Sequence, residues 1–424
     1  MAIDKYSVSH PTSIISGHIK LEGSKSISNR VLLIRALCNE DFTVENLSPS
    51  DDTVVLNQAL QNADSNTTIV GNFNMGHAGT SIRFLTAFLS MTDGQQNITG
   101  SERMLQRPIG PLVKALNDIG AQINYTGKEG YPPLEINKFN GQKNKSVSIN
   151  AAISSQFISA LCLIAPRLPL GLEIKLEGKL VSRSYIEMTL SLMRYFGVDS
   201  KWDDSLISIA PQSYQAKPFT VEADWSAASY YYIIAALSKE CNLSIEGLSL
   251  NSFQGDQAIH QIAPKIGVSS IFKNGLFYLT KSTDNLPALL ENDFITHPDI
   301  AQSVATICAG IGISGLFTGL QTLAIKETDR TAALKTELKK LDVSFSKLPT
   351  QKFAQKSGKE YYMLQGKSQS DQPVSIATYK DHRMAMSFAP LGLLHDIIIE
   401  NPDVVTKSYP NYWNDLKSLG FEIS

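Results

Sequence analysis

The sequence predicts an α/β protein of two domains in which the helices are buried and the sheets lie outside them. Three observations lead there. The chain has 424 residues, more than the roughly 250 to 300 that one hydrophobic core usually serves. Glycine punctuation recurs at nearly constant spacing, and two kinds of helix alternate along the chain.

The first kind is amphipathic and stops abruptly before a short strand. It is read in "VVLNQALQNADSN", "LVKALNDIGAQI", "TLSLMRYFGVDS", "IHQIAPKIGVSS", "LKTELKKLDVSF" and "YWNDLKSLGFEI", with stops near Ala63 and at Gly120, Gly197, Gly267, Asp342 and Gly420. Glycine suits the left-handed turn that ends a helix. The last four spacings are 77, 70, 75 and 78 residues.

The second kind is apolar nearly all round: "SISNRVLLIRALC", "GTSIRFLTAFLS", "SSQFISALCLIA", "SAASYYYIIAAL", "DIAQSVATICAGI" and "HRMAMSFAPLGLL". Entries at Lys25, Thr80, Ser155, Ser226, Asp299 and His382 give spacings of 55, 75, 71, 73 and 83. Six units of about 71 residues follow, the scale of a supersecondary repeat. Helices apolar on every face belong inside. Period-two strands such as "SIEGLSL" and "GLEIKLEG" then supply sheets outside a helical bundle, an inside-out α/β arrangement. Three units per half put the domain change near "KPFTVEADWS", residues 217–226.

Apolar residues make up 43% of the chain and charged residues 18%, with a net charge of -2. That balance predicts a globular protein with no overall attraction to nucleic acid or to an anionic membrane. Cys38, Cys162, Cys241 and Cys308 lie far apart and read as core residues of a reducing compartment, neither a zinc pattern nor a disulfide framework. "MAIDKYSVSHPTS" lacks a basic n-region and an apolar h-region, so a cytoplasmic protein is expected. Residues 300–325 carry no charge, yet Gln302, Ser303, Thr306 and four glycines predict a buried helix, a turn and a strand rather than a membrane span.

The stretch "LEGSKSISNR" places Lys25 and Arg30 at a helix start, where partial positive charge ordinarily favours Asp or Glu. Each such entry has an ordinary explanation by itself. "GTS" and "DWS" can be caps, "IKETDR" a solvated face with Lys326 and Arg330 at i, i+4, and His382 a cap or a satisfied core histidine. Together they form a pattern. Lys25, Arg30, Arg83, Arg107, Lys326, Arg330, Arg383 and Lys407 all fall at or just before predicted helix starts, the ends that offer free N–H groups to an anion. Several negative groups held at once would explain them.

The motifs "KSISNR", "GHAGTSIRFL", "RPIG", "SSQF", "SRSYI", "IKETDR", "KDHRMAM" and "TKSYPNYW" also follow one another as in the 5-enolpyruvylshikimate-3-phosphate synthase (3-phosphoshikimate 1-carboxyvinyltransferase) family, which the chain resembles from about residue 20 to 415. The resemblance implies two inside-out α/β barrel-like domains, each of three βαβαββ repeats with buried helices and outer sheets. One spans residues 22–223 and the other 1–21 with 224–424, joined by a hinge. It implies transfer of the enolpyruvyl group of phosphoenolpyruvate to the 5-hydroxyl of shikimate 3-phosphate by addition–elimination, with release of phosphate. Each substrate carries a carboxylate and a phosphate, so the cation cluster matches the demand.

Carried over by motif, Ser26, Arg30, Ser154, Ser155, Gln156, Ser182, Tyr185, Asp299 and Lys326 are expected to hold shikimate 3-phosphate. Lys25, Gly79, Arg107, Gln156, Glu327, Arg330, His382, Arg383 and Lys407 are expected around phosphoenolpyruvate. Of these, Glu327 is expected as the acid that protonates the methylene carbon and Asp299 as the base for the hydroxyl, with Lys25 and Lys407 stabilising the leaving phosphate. No metal or cofactor is implied, and a monomer acting on small molecules is expected. The family is the target of glyphosate, an anionic competitor of phosphoenolpyruvate.

His77 stands where the family usually has Asn, Phe84 where Pro is common, and Thr322 where an Asn elsewhere touches shikimate 3-phosphate. A related transferase acting on UDP-N-acetylglucosamine would carry a functional Cys before the first glycine stop, and residues 101–120 contain none. A binding protein that closes on an anionic solute would give no reason to set Asp299 and Glu327 among cations.

Overall fold

A computed structural model of the protein describes residues 4–63, 69–282, 286–349 and 359–424. The chain divides into two compact units, Gly23–Val221 and Met1–Glu22 with Glu222–Ser424. Each is a mixture of helices and short sheets.

In the unit Gly23–Val221 the strands Ile69–Asn74 and Gly94–Thr99 run parallel, and the hairpin Gln122–Tyr125 and Leu134–Asn137 joins them antiparallel. Ser146–Asn150 and Leu172–Glu177 repeat that parallel pair beside the hairpin Lys201–Asp203 and Leu206–Ile209. Val44–Glu45 and Phe219–Thr220 pair in parallel. Leu172, Ile174 and Leu176 are buried while Lys175 and Glu177 face out, the two-sided pattern read from "GLEIKLEG".

The other unit holds three sheets of the same pairing. Ile14–Lys20 lies parallel to Glu240–Glu246, Leu289–Asp293 to Ser314–Thr318, and Val374–Ile376 to Ile397–Glu400. Two antiparallel strands complete each sheet. Among the described residues no sheet closes on itself, so the expected barrel-like form gives way to separate open sheets of four strands or fewer.

The apolar helices are buried as their composition requires. All thirteen residues of Trp225–Leu237 and all seven of His382–Phe388 are buried, and in Gly79–Leu89 only Thr80 is not. The charged-faced helices are half covered: Asp51–Asn62 buries five of twelve residues. The glycine stops take positive φ at Gly120, Gly197, Gly267 and Gly420, and so does Asp342 at 60°.

Several details depart from the sequence expectations. "IHQIAPKIG" forms only Ala258–Ile262 before a 3-10 turn, because Pro264 cannot extend the hydrogen-bond ladder. The strand expected through "SIEGLSL" ends at Glu246, where Gly247 turns at φ 98°. Cys38 caps its helix and is only half-buried; Cys162, Cys241 and Cys308 are core residues whose thiols burial pushes up to about 12. Residues 300–325 give the helix Ala301–Ile311, a turn at Gly312 and the strand Ser314–Thr318. Among the described residues no helix is long and apolar enough to cross a membrane.

Candidate active site

In the unit Gly23–Val221 the expected anion-holding residues gather at helix entries. Lys25 opens the helix Lys25–Leu37, and its Nζ lies 3.8 Å from Oδ2 of Asp52 in the first turn of Asp51–Asn62. One turn along, the buried Arg30 donates to Ser26 O at 2.7 Å, Thr189 Oγ1 at 2.7 Å and Tyr185 O at 3.2 Å. This guanidinium therefore ties its own helix to Arg183–Tyr195. Among the described residues no carboxylate lies within ion-pair distance of Arg30. Burial lowers it to about 10 against the small opposing effects of Tyr185 and Cys162. A buried cation without a counter-ion is costly, and an incoming anion would offset that cost.

Ser154 caps Ser155–Ile164 by accepting from Gln156 N at 3.3 Å, and Gln156 Nε2 donates to Thr80 Oγ1 at 3.0 Å. Ser182, buried at φ 53°, stands at the entry of Arg183–Tyr195. Arg107 lies against Gly79 so tightly that a Cβ there would stand 2.4 Å from its Nη1. Gly79 is thus the space that the Arg107 guanidinium fills. Arg83 is structural: its guanidinium donates to Gly79 O at 2.7 Å and Pro108 O at 2.9 Å.

The departures are local. Phe84 lies under the Arg30 guanidinium, 5.5 Å from ring centroid to Cζ, a favourable cation–π distance. His77 faces Asp51 at 3.6 Å with half its side chain exposed, so a carboxylate is its neighbour. Thr322 is buried, and its Oγ1 has no hydrogen-bond partner among the described residues.

In the other unit, charge is concentrated around Arg330, which opens the helix Arg330–Lys339 and is 1% exposed. It donates to Asp381 Oδ2 at 2.7 Å, Asp299 Oδ1 at 2.9 Å and Glu327 Oε2 at 2.9 Å. Burial alone would lower this guanidinium, but Asp381, Glu327 and Asp299 outweigh it and hold it above its ordinary range. Asp299 also meets Lys326 Nζ at 3.5 Å and Arg383 Nη2 at 3.1 Å, and Glu327 Oε1 meets Lys407 Nζ at 2.9 Å. Four cations thus face three carboxylates.

Within this cluster Asp381, not His382, is the helix cap, accepting from Arg383 N at 2.9 Å. The buried His382 lies with Nδ1 3.7 Å from Asp381 Oδ1. Lys407 ends the 3-10 turn Pro402–Lys407 and does not open a helix. The solvated-face explanation of "IKETDR" holds only for Asp329, the exposed cap that accepts from Thr331 N and Ala332 N. Asp52, Asp381 and Tyr230, whose hydroxyl accepts from Arg383 at 3.2 Å, were missed by the sequence expectations. Asp381 in "KDHR" could have been found as a cap; nothing local distinguishes the other two. Among the described residues no group of three or more His, Cys, Asp or Glu is placed to hold a metal.

The arrangement offers cations that can hold phosphate and carboxylate groups, with three carboxyls set among those around Arg330. Comparisons with known proteins agree. Residues 9–416 match the family model of EPSP synthase (3-phosphoshikimate 1-carboxyvinyltransferase). A 3-phosphoshikimate 1-carboxyvinyltransferase of Bacteroides fragilis is 44% identical over 99% of this chain and 98% of its own. One of Vibrio atlanticus is 35% identical over 96% and 98%.

Among solved structures, an EPSP synthase of Acinetobacter baumannii superposes with a TM-score of 0.76 at 21% identity over the whole of both chains. The enolpyruvyl transferase NikO of Streptomyces tendae gives 0.72 at 14% identity over 99% of this chain and 98% of its own. These two likenesses speak for the fold. With a family match over nearly the whole sequence, the chain belongs to the EPSP synthase family, the shikimate-pathway enzymes that transfer the enolpyruvyl group of phosphoenolpyruvate to shikimate 3-phosphate.

Proposed function

We propose that the charged helix entries of the two units carry this reaction, with each residue in the role its motif implies. The observation that carries the assignment is Arg30, a buried guanidinium with only neutral partners among the described residues, at the entry where shikimate 3-phosphate is expected. Ser26, Ser154, Ser155, Gln156, Ser182 and Tyr185 surround that anion, and Asp299 and Lys326 hold its reacting side. Lys25, Gly79, Arg107, Arg330, His382, Arg383 and Lys407 receive phosphoenolpyruvate.

Asp299 takes the proton of the 5-hydroxyl as its oxygen attacks C2, and Glu327 delivers a proton to the methylene carbon. The C2–O bond to phosphate then breaks, the phosphate leaves with the proton taken from the hydroxyl, and the methyl group returns a proton to Glu327, forming the enol ether of the product. Glu327 starts between Arg330 and Lys407, each 2.9 Å away. A bound phosphate or carboxylate competes for those cations, and the carboxyl oxygen so released can carry the proton. Lys25 and Lys407 stabilise the departing phosphate.

The two units are proposed as the two enolpyruvyl-transferase domains, inside-out in layering and each a threefold βαβαββ repeat. The shared pairing of the five four-stranded sheets and the full burial of the apolar helices Trp225–Leu237 and His382–Phe388 support this. A cytoplasmic monomer, without nucleic-acid or membrane partners, is proposed with it.

The test is phosphate release that requires both shikimate 3-phosphate and phosphoenolpyruvate. Lys25→Met should lower that rate by about 10²- to 10³-fold. Its melting temperature should fall as well, because the buried Asp52 loses the cation 3.8 Å away, so turnover is compared at a temperature where both proteins are folded. Near wild-type turnover would remove Lys25 from the catalytic set.

A further inference from the structure

A buried carboxyl outside the proposed set adjoins the proposed base. Asp256 lies on the 3-10 turn Gly255–Gln257, which packs against the turn Pro298–Ile300 that carries Asp299. It is 7% exposed, and its Oδ1 is buried with no hydrogen-bond partner among the described residues. An ionised carboxylate in that position would be expensive, whereas a neutral acid would not.

The charged groups facing it come from each neighbouring element. Asp299 and Asp224, the cap of Trp225–Leu237, oppose its ionisation; Arg383 and Lys326 favour it. His260, on the helix that follows, bonds instead to Ser270 Oγ at 2.8 Å. Burial is the largest influence and Asp299 the next, and they push the Asp256 carboxyl up to about 8. Arg383 and Lys326 are already engaged with Asp299 at 3.1 and 3.5 Å. A second negative charge beside them would compete with Asp299 and with any substrate anion.

We propose that Asp256 is a positioning residue that works as a neutral acid: holding its proton, it leaves Arg383 and Lys326 to Asp299 and to the incoming anion, and losing that proton weakens anion binding. The inference rests on the site assignment above. It acts through its neighbours and requires no contact between Asp256 and the reacting atoms.

Calorimetric titration of shikimate 3-phosphate into the enzyme tests it, in buffers of different ionisation enthalpy between pH 7 and 9. At pH 8 the wild type should take up a fraction of a proton per molecule bound, and its affinity should fall several-fold from pH 7 to 9. Asp256→Asn, a neutral isostere, should match the wild-type affinity at pH 7, lose most of that uptake and flatten the decline. A merely structural role would leave the pH profile unchanged. Parallel profiles, or weaker binding by the variant already at pH 7, overturn the inference alone. Absence of binding by both proteins overturns the site assignment as well. Should the variant fail to fold, wild-type binding at pH 8 without proton uptake is by itself a refutation.

Discussion

Arg330→Gln removes a cation that Asp299, Glu327 and Asp381 share. The three carboxylate side chains are 13%, 14% and 0% exposed, so water can replace little of what is lost. Removing one partner of a buried ion pair costs about 3 to 5 kcal/mol, because the other charge stays buried. Asp381 is the most affected, since Arg330 meets both of its oxygens. Against a total stability of about 5 to 15 kcal/mol this is a large share. For a unit of this size each kcal/mol shifts melting by about 2 to 4 °C, giving a fall of about 6 to 20 °C.

Thermal unfolding of the variant at neutral pH, in low salt and in about 0.5 M salt, reads it directly. The loss should persist in salt, unlike that of a surface pair. Adding Asp381→Asn should recover at least about 1 kcal/mol, since it removes the charge left most deeply buried. Melting within about 2 °C of wild type, or a double variant no more stable than the single one, would refute the claim that this cluster is held by mutual burial of charge.

Two further outcomes follow from single contacts. Gly79→Ala sets a methyl carbon 2.4 Å from Arg107 Nη1, so the guanidinium must shift. KM for phosphoenolpyruvate should rise about tenfold or more while kcat changes less, and steady-state kinetics with an unchanged KM would separate Arg107 from that substrate. Glu22 is half-buried with Oε2 unpartnered among the described residues, and burial, then Asp415, pushes its carboxyl up to about 7 from an ordinary 4.5. The folded state therefore keeps a proton that the unfolded state has lost, and stability from this group falls as pH rises from about 4.5 to 7 and is level above. Glu22→Gln should be more stable than wild type at pH 8 by about 1 to 2 kcal/mol, after allowance for solvent screening, and equal to it near pH 4.5. Urea midpoints that differ by the same amount at pH 5 and 8 would refute it.

What the sequence by itself determined was everything carried by local pattern. Helices that are apolar on every face have no stable place except inside, and glycines at helix ends have a backbone freedom that no tertiary contact needs to create. Hence Trp225–Leu237 and the stops at Gly120, Gly197, Gly267 and Gly420 were legible, as was the gathering of cations near helix entries. The tertiary structure alone decided which charges meet. Arg330 and Asp381 are 51 residues apart and Arg30 and Thr189 are 159 apart, and no periodicity links them. Their pairing depends on how buried helices cross and on which carboxylate reaches a guanidinium before water does. For the same reason Asp256 looks in sequence like one more turn residue, and its carboxyl is pushed up only by the burial and the Asp299 charge that folding places around it.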